Sequence, residues 1–226
     1  MSTESNHILT SFDDSLETLR QEVINMAGAS SHALQNAFTG LLKRELDICS
    51  DVIIEDDQVD QAEKRIDEMA MEVLLRYNPL AQDLRFVLSS LSICRAVERI
   101  GDHAVNIAKR ARKLMKIGEM PETHLLEPMF DAAVQQLKLA IEAYADIDGA
   151  KGRAIAEMDE SLDKLHKKAA KALTQAIEER ESGEVGYLHL LFVGRSLERI
   201  GDLATNIGED VVFIESAEDI RHASAS

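Results

Sequence analysis

Glycine and proline are scarce in this chain, eleven and three in 226 residues, about half the share of an average protein. So few turn residues exclude a sandwich or barrel, whose short strands each need a turn. Tryptophan is absent and aromatics make up 4%, yet 45% of residues are apolar. The core must therefore be built from Leu, Ile, Val, Ala and Met, which is the composition of a helix bundle. The two cysteines, Cys49 and Cys94, stand 45 positions apart with no Cys-x-x-Cys or Cys/His cluster. That excludes a disulfide framework and a thiolate zinc site, and the pair reads as buried thiols in a reducing cytosol. Long hydrophobic runs are missing too. The longest charge-free, mainly apolar stretch, Val185 to Gly194, has ten residues, well short of the roughly 18 needed to span a bilayer. The first 20 residues carry four acids and no apolar run, so no secretory signal is expected and the chain should stay inside the cell.

Positive charge is also short: Lys and Arg number 25 against 41 Asp and Glu, a formal net charge of −16. This opposes the counterion-release term behind nucleic-acid affinity, so DNA and RNA are excluded as partners. An excess of carboxylates suits hard cations or a basic protein surface, and it also serves solubility.

What is present is an internal duplication. At an offset of 100, the thirteen residues from Arg95 to Ile107 match those from Arg195 to Ile207 at nine positions, including Glu98/Glu198, Arg99/Arg199, Gly101/Gly201, Asp102/Asp202 and Asn106/Asn206. Chance would supply about one. Upstream, Asp56-x-x-Val59-Asp60 has a counterpart in Asp159-x-x-Leu162-Asp163. The expected fold is all-α: two tandem three-helix bundles, six helices in all, with one repeat over 1–117 and the other over 118–226. Gly118, Pro121 and Pro128 mark the connection between them. Asn78-Pro79 predicts a helix start, with Asn78 as N-cap. From there an apolar stripe through Leu84, Leu88, Leu91, Val97, Ile100, Ala104, Ile107 and Ala111 runs to about Lys116. A break near Leu46 to Ser50 divides the residues before it into two helices. Gly149 and Gly152 mark one later turn, and Ser182, Gly183 and Gly186 another. These leave helices near 128–147, 153–181 and 186–215. Met26, Met69 and Met71 fall at spacings that packing explains.

On a helix, Glu98, Asp102 and Asn106 share one face, as do their counterparts in the second repeat. Two stacked carboxylates repel by a few tenths of a kcal/mol, so something must compensate. A cation would do so, and so would a ladder of salt bridges from Arg95 and Arg99. A mid-helix glycine costs roughly 1 kcal/mol against alanine, so Gly101 and Gly201 point to close packing by a neighbouring helix. If a metal binds, the oxygen donors favour Mg, Mn, Ca or Fe, with Asp56 and Asp60, or Asp159 and Asp163, completing the set from an adjacent helix. His103 and His189 have no match in the other repeat and read as ordinary surface or core histidines. The basic run Lys109, Arg110, Arg112, Lys113, Lys116 complements a helix C-terminus and offers a partner surface. No nucleophile elbow, Gly-rich phosphate loop, HExxH motif or paired Glu-x-x-His set is present in the bundle, so the usual parts of a hydrolase, kinase or ferritin-type oxidase are missing.

The duplicated Glu-Arg-Ile-Gly-Asp-x-Ala-x-Asn-Ile frame resembles the PhoU family, the phosphate-specific transport system accessory proteins. The resemblance extends to Pro79-x-Ala81-x-Asp83-Leu84-Arg85, to Asp210-Val-Val-Phe213 and to Asp219-Ile-Arg221-His222. The second half departs from it by having Ser182-Gly183-Glu184-Val185 where the first has the proline stretch. The resemblance implies a cytoplasmic, non-enzymatic homodimer that represses phosphate-starvation signalling when phosphate is plentiful. It implies as partners the ATPase subunit of the phosphate importer and a membrane histidine kinase with its response regulator. It further implies metal ions, Fe, Mn, Mg or Zn, on Glu98, Asp102, Glu198, Asp202, Asp56, Asp60, Asp159 and Asp163. A metal-dependent enzyme using the same carboxylate faces is the alternative from another class.

Overall fold

The computed structural model describes residues 2–179 and 184–220, with side chains from Thr10 onward. Among the described residues the chain forms six α-helices and one short 3-10 helix: α1 Ser2–Lys43, α2 Leu46–Tyr77, α3 Ala81–Ile117, the 3-10 turn Pro121–Leu126, α4 Glu127–Asp146, α5 Gly149–Glu178 and α6 Glu184–Ser216. The all-α expectation and its six helices are met. α1, α2 and α3 pack on one another, as do α4, α5 and α6, and the two sets join chiefly along α3 and α6. The seam between these two central helices is antiparallel. Arg85 donates to the Ile214 carbonyl near one end, and Arg110 meets His189 and Phe192 near the other. Apolar residues of both sets form one continuous core. Ser90 of α3 and Tyr144 of α4 share a buried hydrogen bond of 2.7 Å, and Phe38 of α1 stacks on Phe130 of α4 at 4.1 Å.

Several helix ends differ from expectation. Asn78 does not start α3; it ends α2 in the left-handed conformation (φ 47°), its N–H donating to the Leu74 carbonyl. Asparagine adopts that conformation more readily than most residues, and a proline just beyond a helix end is common, so the same two residues serve a stop as well as a start. The α1–α2 break falls at Arg44 and Glu45, ahead of the expected Leu46 to Ser50. Arg44 turns left-handed (φ 57°) and its guanidinium donates to the carbonyls of Met115 and Gly118, satisfying groups left open at the end of α3. The turn before α5 is Ile147–Asp148. The Asp148 carboxylate accepts from the Lys151 N–H as an N-cap, and Gly149 and Gly152 lie inside the helix. Gly186 is likewise helical, whereas Ser182 and Gly183 lie outside the described residues. Leu88 and Met71, read from spacing as core, are exposed. α3 buries Phe86, Val87, Ser89 and Ser90 around Leu88, because it is contacted by α1, α2 and α6 and its inward face is broader than a single stripe.

Candidate functional site

The antiparallel α3–α6 seam sets the repeated motifs against each other at its middle. His103 of α3 sits within the fields of Arg199 and Asp202 of α6, so an approximate two-fold axis relating the repeats crosses the seam near Gly101 and Gly201. The matched glycines do different amounts of work. A Cβ at Gly101 meets Ser30, Val59 and Asp56 at 3.4 to 3.8 Å, ordinary contact. One at Gly201 runs into Leu162 of α5 and comes 2.8 Å from the Gln136 amide oxygen of α4. Gly101→Ala is therefore expected to leave the melting temperature unchanged or slightly raised. Gly201→Ala should lower it, by an overpacking cost of about 1–3 kcal/mol less roughly 1 kcal/mol of helix propensity; equal effects in a thermal melt would contradict this geometry.

Both glycines also face an aspartate on the neighbouring helix, Asp56 in the first half and Asp159 in the second. This shows that α2 and α5 deliver their carboxylates to the same place on each motif. In the first half Asp56, Asp60, Glu98 and Asp102 come together. Burial, then Asp102, Glu63, Asp60 and Asp56, hold the Glu98 carboxyl above its usual range. Burial, then Asp60 and Asp102, do the same for Asp56, partly offset by Lys109. In the second half burial, then Asp202 and Asp163, raise Asp159, the nearby Gln136 side chain opposing the shift without a hydrogen bond of its own and Glu198 adding a little. The eight carboxylates found by spacing are thus two groups of four.

The groups differ in how their charge is answered. Arg199 pairs with Asp202 at 3.0 Å and lies 3.7 Å from Glu198, so part of a salt-bridge ladder exists there. The arginine is exposed, and such pairs contribute about 0–1 kcal/mol. Among the described residues, Glu98 and Asp102 have no cation within 4.0 Å. Glu198 keeps one oxygen buried with no hydrogen-bond partner. Arg99 crosses the seam to line a cleft with Asp159, Arg199, Asp202 and Asn206. Among the described residues, no three acidic, His or Cys side chains close on one point as a finished metal site.

Sequence spacing missed three residues that lie beside these groups. Glu63 acts on Glu98 from one turn beyond Asp60. His166 is its counterpart, since an offset of 103 carries Asp56, Asp60 and Glu63 onto Asp159, Asp163 and His166, and its ring lies beside Gly194, one turn before Glu198. That shift of offset from 100 to 103 was the available signal. Gln136, fully buried behind Gly201, left none. His103 is half-buried with its Nδ1 unpartnered; burial first, then Arg99, holds its pKa down.

A family model of the PhoU domain matches the chain twice, over residues 23–111 and 126–211. A Pseudomonas putida protein named as a phosphate-specific transport system accessory protein PhoU homolog is 32% identical over 219 residues, 96% of this chain and 86% of that protein. The Serratia marcescens accessory protein PhoU is 30% identical, covering 96% and 90%. Among solved structures, PhoU from Pseudomonas aeruginosa superposes with a TM-score of 0.88 at 30% identity, over 92% of this chain and all of that one. The phosphate transport system regulatory protein PhoU from Streptococcus pneumoniae gives 0.86 at 26%, over 92% and 98%.

Proposed function

This chain belongs to the PhoU family, and from that membership we propose that it is a regulatory accessory protein of phosphate transport. In this reading it is a cytoplasmic negative regulator of the phosphate regulon. It couples the ATPase subunit of the phosphate importer to a phosphate-sensing histidine kinase and its response regulator, so that starvation genes stay repressed when phosphate is plentiful. It acts as a homodimer through protein contacts, reaches the membrane only through those partners and catalyses no reaction. The repeats divide at 117 and 118. The observation that carries the reading is the match of both repeats to the PhoU domain and of nearly the whole chain to proteins named as phosphate-specific transport system accessory proteins.

The same reading assigns metal ions to the two carboxylate groups. The residues fit in kind: carboxylates from two helices gather in each half, their mutual repulsion is only partly answered by arginine, and Glu198 keeps a buried oxygen that makes no hydrogen bond and lies 3.7 Å from Arg199. Such donors suit Mg, Mn or Fe better than a soft-ligand metal. Asp56, Asp60, Glu98 and Asp102 would hold ions in the first half, and Asp159, Asp163, Glu198 and Asp202 in the second. A bound ion would supply positive charge that relieves the repulsion and stiffens α2 against α3 and α5 against α6.

Deleting the gene is the direct test. Phosphate-scavenging functions should be expressed in high phosphate and silenced again by the wild-type copy, and unchanged expression in the deletion strain would overturn the regulatory role.

A further inference from the structure

The accessory-protein reading calls for protein partners without placing them. One face of the molecule has the chemistry of a docking surface and stands apart from the acidic motifs. On α6, Val185, Leu188 and Phe192 fall at i, i+3 and i+7 and are 58%, 48% and 48% exposed, an apolar stripe along one side of the helix. The neighbouring end of α3 supplies the cations. The Arg110 guanidinium lies 4.0 Å from the centre of the Phe192 ring and its Nη1 is 3.1 Å from His189 Nδ1. Lys113 bears on the same histidine. Ile117, also exposed, lies against Gly186. Arg195 continues the row one turn beyond Phe192.

Scattered exposed leucines need no explanation, but a contiguous stripe edged by cations does. The fold does not require it. The positions equivalent to 185, 188 and 192 in the other repeat are Arg85, Leu88 and Ser92, and those equivalent to Lys109 and Arg110 are Glu209 and Asp210. Duplication has thus kept the seam and made its two ends electrically opposite. In a chain of net charge −16, the basic end is where an acidic partner is drawn rather than repelled.

We propose that the α3–α6 end formed by Arg110, Lys113, Val185, Leu188 and Phe192 docks an acidic amphipathic helix of a partner protein. Its apolar residues would lie on the stripe and its carboxylates would face Arg110 and Lys113. Recognition by a helix laid along a helix pair needs anchors at this spacing. An anionic membrane surface is the poorer occupant, because the net charge of the whole chain repels it.

The proposal deepens the accessory-protein reading, and its test is independent of phosphate-regulated expression, so either can fail alone. The probe is a fluorescein-labelled synthetic helix of about 18 residues, with Leu and Phe at i, i+3 and i+7 flanked by Glu. It is titrated with the full chain and followed by anisotropy. Binding should weaken at least tenfold with Leu188→Glu and with Lys113→Glu, the second an exposed charge reversal that leaves the core untouched. Binding should fall with added salt and be absent for the same peptide with Lys in place of Glu. Equal affinity for the two peptides, or for all three proteins, overturns the proposal. Binding of phosphatidylglycerol vesicles without binding of the peptide overturns it in favour of a membrane. The chain carries its own acidic stripe, Met71 and Leu75 among Asp67, Glu68 and Glu72 on α2. Self-association abolished by both Leu75→Glu and Leu188→Glu would give the face to a second copy and overturn the proposal as well.

Discussion

Gly208→Val is expected to lower the melting temperature by roughly 6–12 °C, whereas Gly28→Ala, also in mid-helix, should raise it slightly. The difference lies in what each Cβ would meet. At Gly208 the nearest atom is the backbone carbonyl of Gly152, 2.6 Å away, with Ile155 at 3.0 Å; at Gly152 it is the carbonyl of Gly208, at 2.5 Å. Backbone cannot swing aside as a flexible side chain does, so α5 and α6 must separate, and the close packing around Ile155 and Val212 is lost with them. A net cost of about 3 kcal/mol corresponds to that shift for a chain of this size. Around Gly28 nothing stands within 4 Å, so alanine there gains helix propensity, about 0.5–1 kcal/mol, without a clash. Thermal melts of the two variants read both signs, and a Gly208→Val protein as stable as wild type would disprove the α5–α6 approach described above.

The second large effect concerns the carboxylate groups. Gently purified protein, incubated with Fe, Mn or Mg and desalted, is expected to carry stoichiometric metal by elemental analysis, and Glu98→Ala with Glu198→Ala should reduce it to background. A free-ion concentration a hundredfold above the dissociation constant stabilises by about 2.7 kcal/mol, a rise in melting temperature of roughly 5–10 °C. The pH dependence supplies an independent sign. Asp56, Glu98 and Asp159 have carboxyls raised above their ordinary values, chiefly by burial and then by one another's neighbours. The metal-free fold therefore binds these protons more tightly than the unfolded chain. Their contribution is fully present below the ordinary carboxylate range and is lost as pH rises through the raised values. Metal-free wild type should thus gain stability relative to Glu98→Gln/Asp159→Asn as pH falls through the raised values. With metal bound, protons compete for the ligands and the trend reverses. Absence of metal in every sample leaves the second group to its Arg199 pairing and the first without one, and the regulatory role resting on family membership alone.

The helical class, the duplication and the eight carboxylates were all readable in one dimension, because each is a periodic signal. Scarce glycine and proline leave long uninterrupted helices, and spacings of four residues place Glu98 beside Asp102 on one face whatever surrounds them. Close approach was readable at Gly201 as well, since a mid-helix glycine is unfavourable unless something needs the space. The helix stops were less legible. Asn78-Pro79 satisfies the rules for a start and for an end equally well, and only Arg44 reaching the end of α3 decides where α1 stops. Gly149 and Gly152 read as a turn because sequence cannot distinguish a glycine needed for conformation from one needed for clearance; the clearance at Gly152 is set by Gly208, 56 positions away.

The sequence by itself determined that this protein is a doubled helical bundle with a carboxylate face in each half, since local periodicity and self-similarity carry that information. The antiparallel pairing of α3 with α6 decided the rest: that the two motifs meet at one seam, that Arg99 of one half lines a cleft with Asp159, Arg199 and Asp202 of the other, and that Arg110 and Phe192 share a surface. Those relations depend on which apolar faces bury each other, a global choice made by close packing among six helices and written in no single stretch of chain.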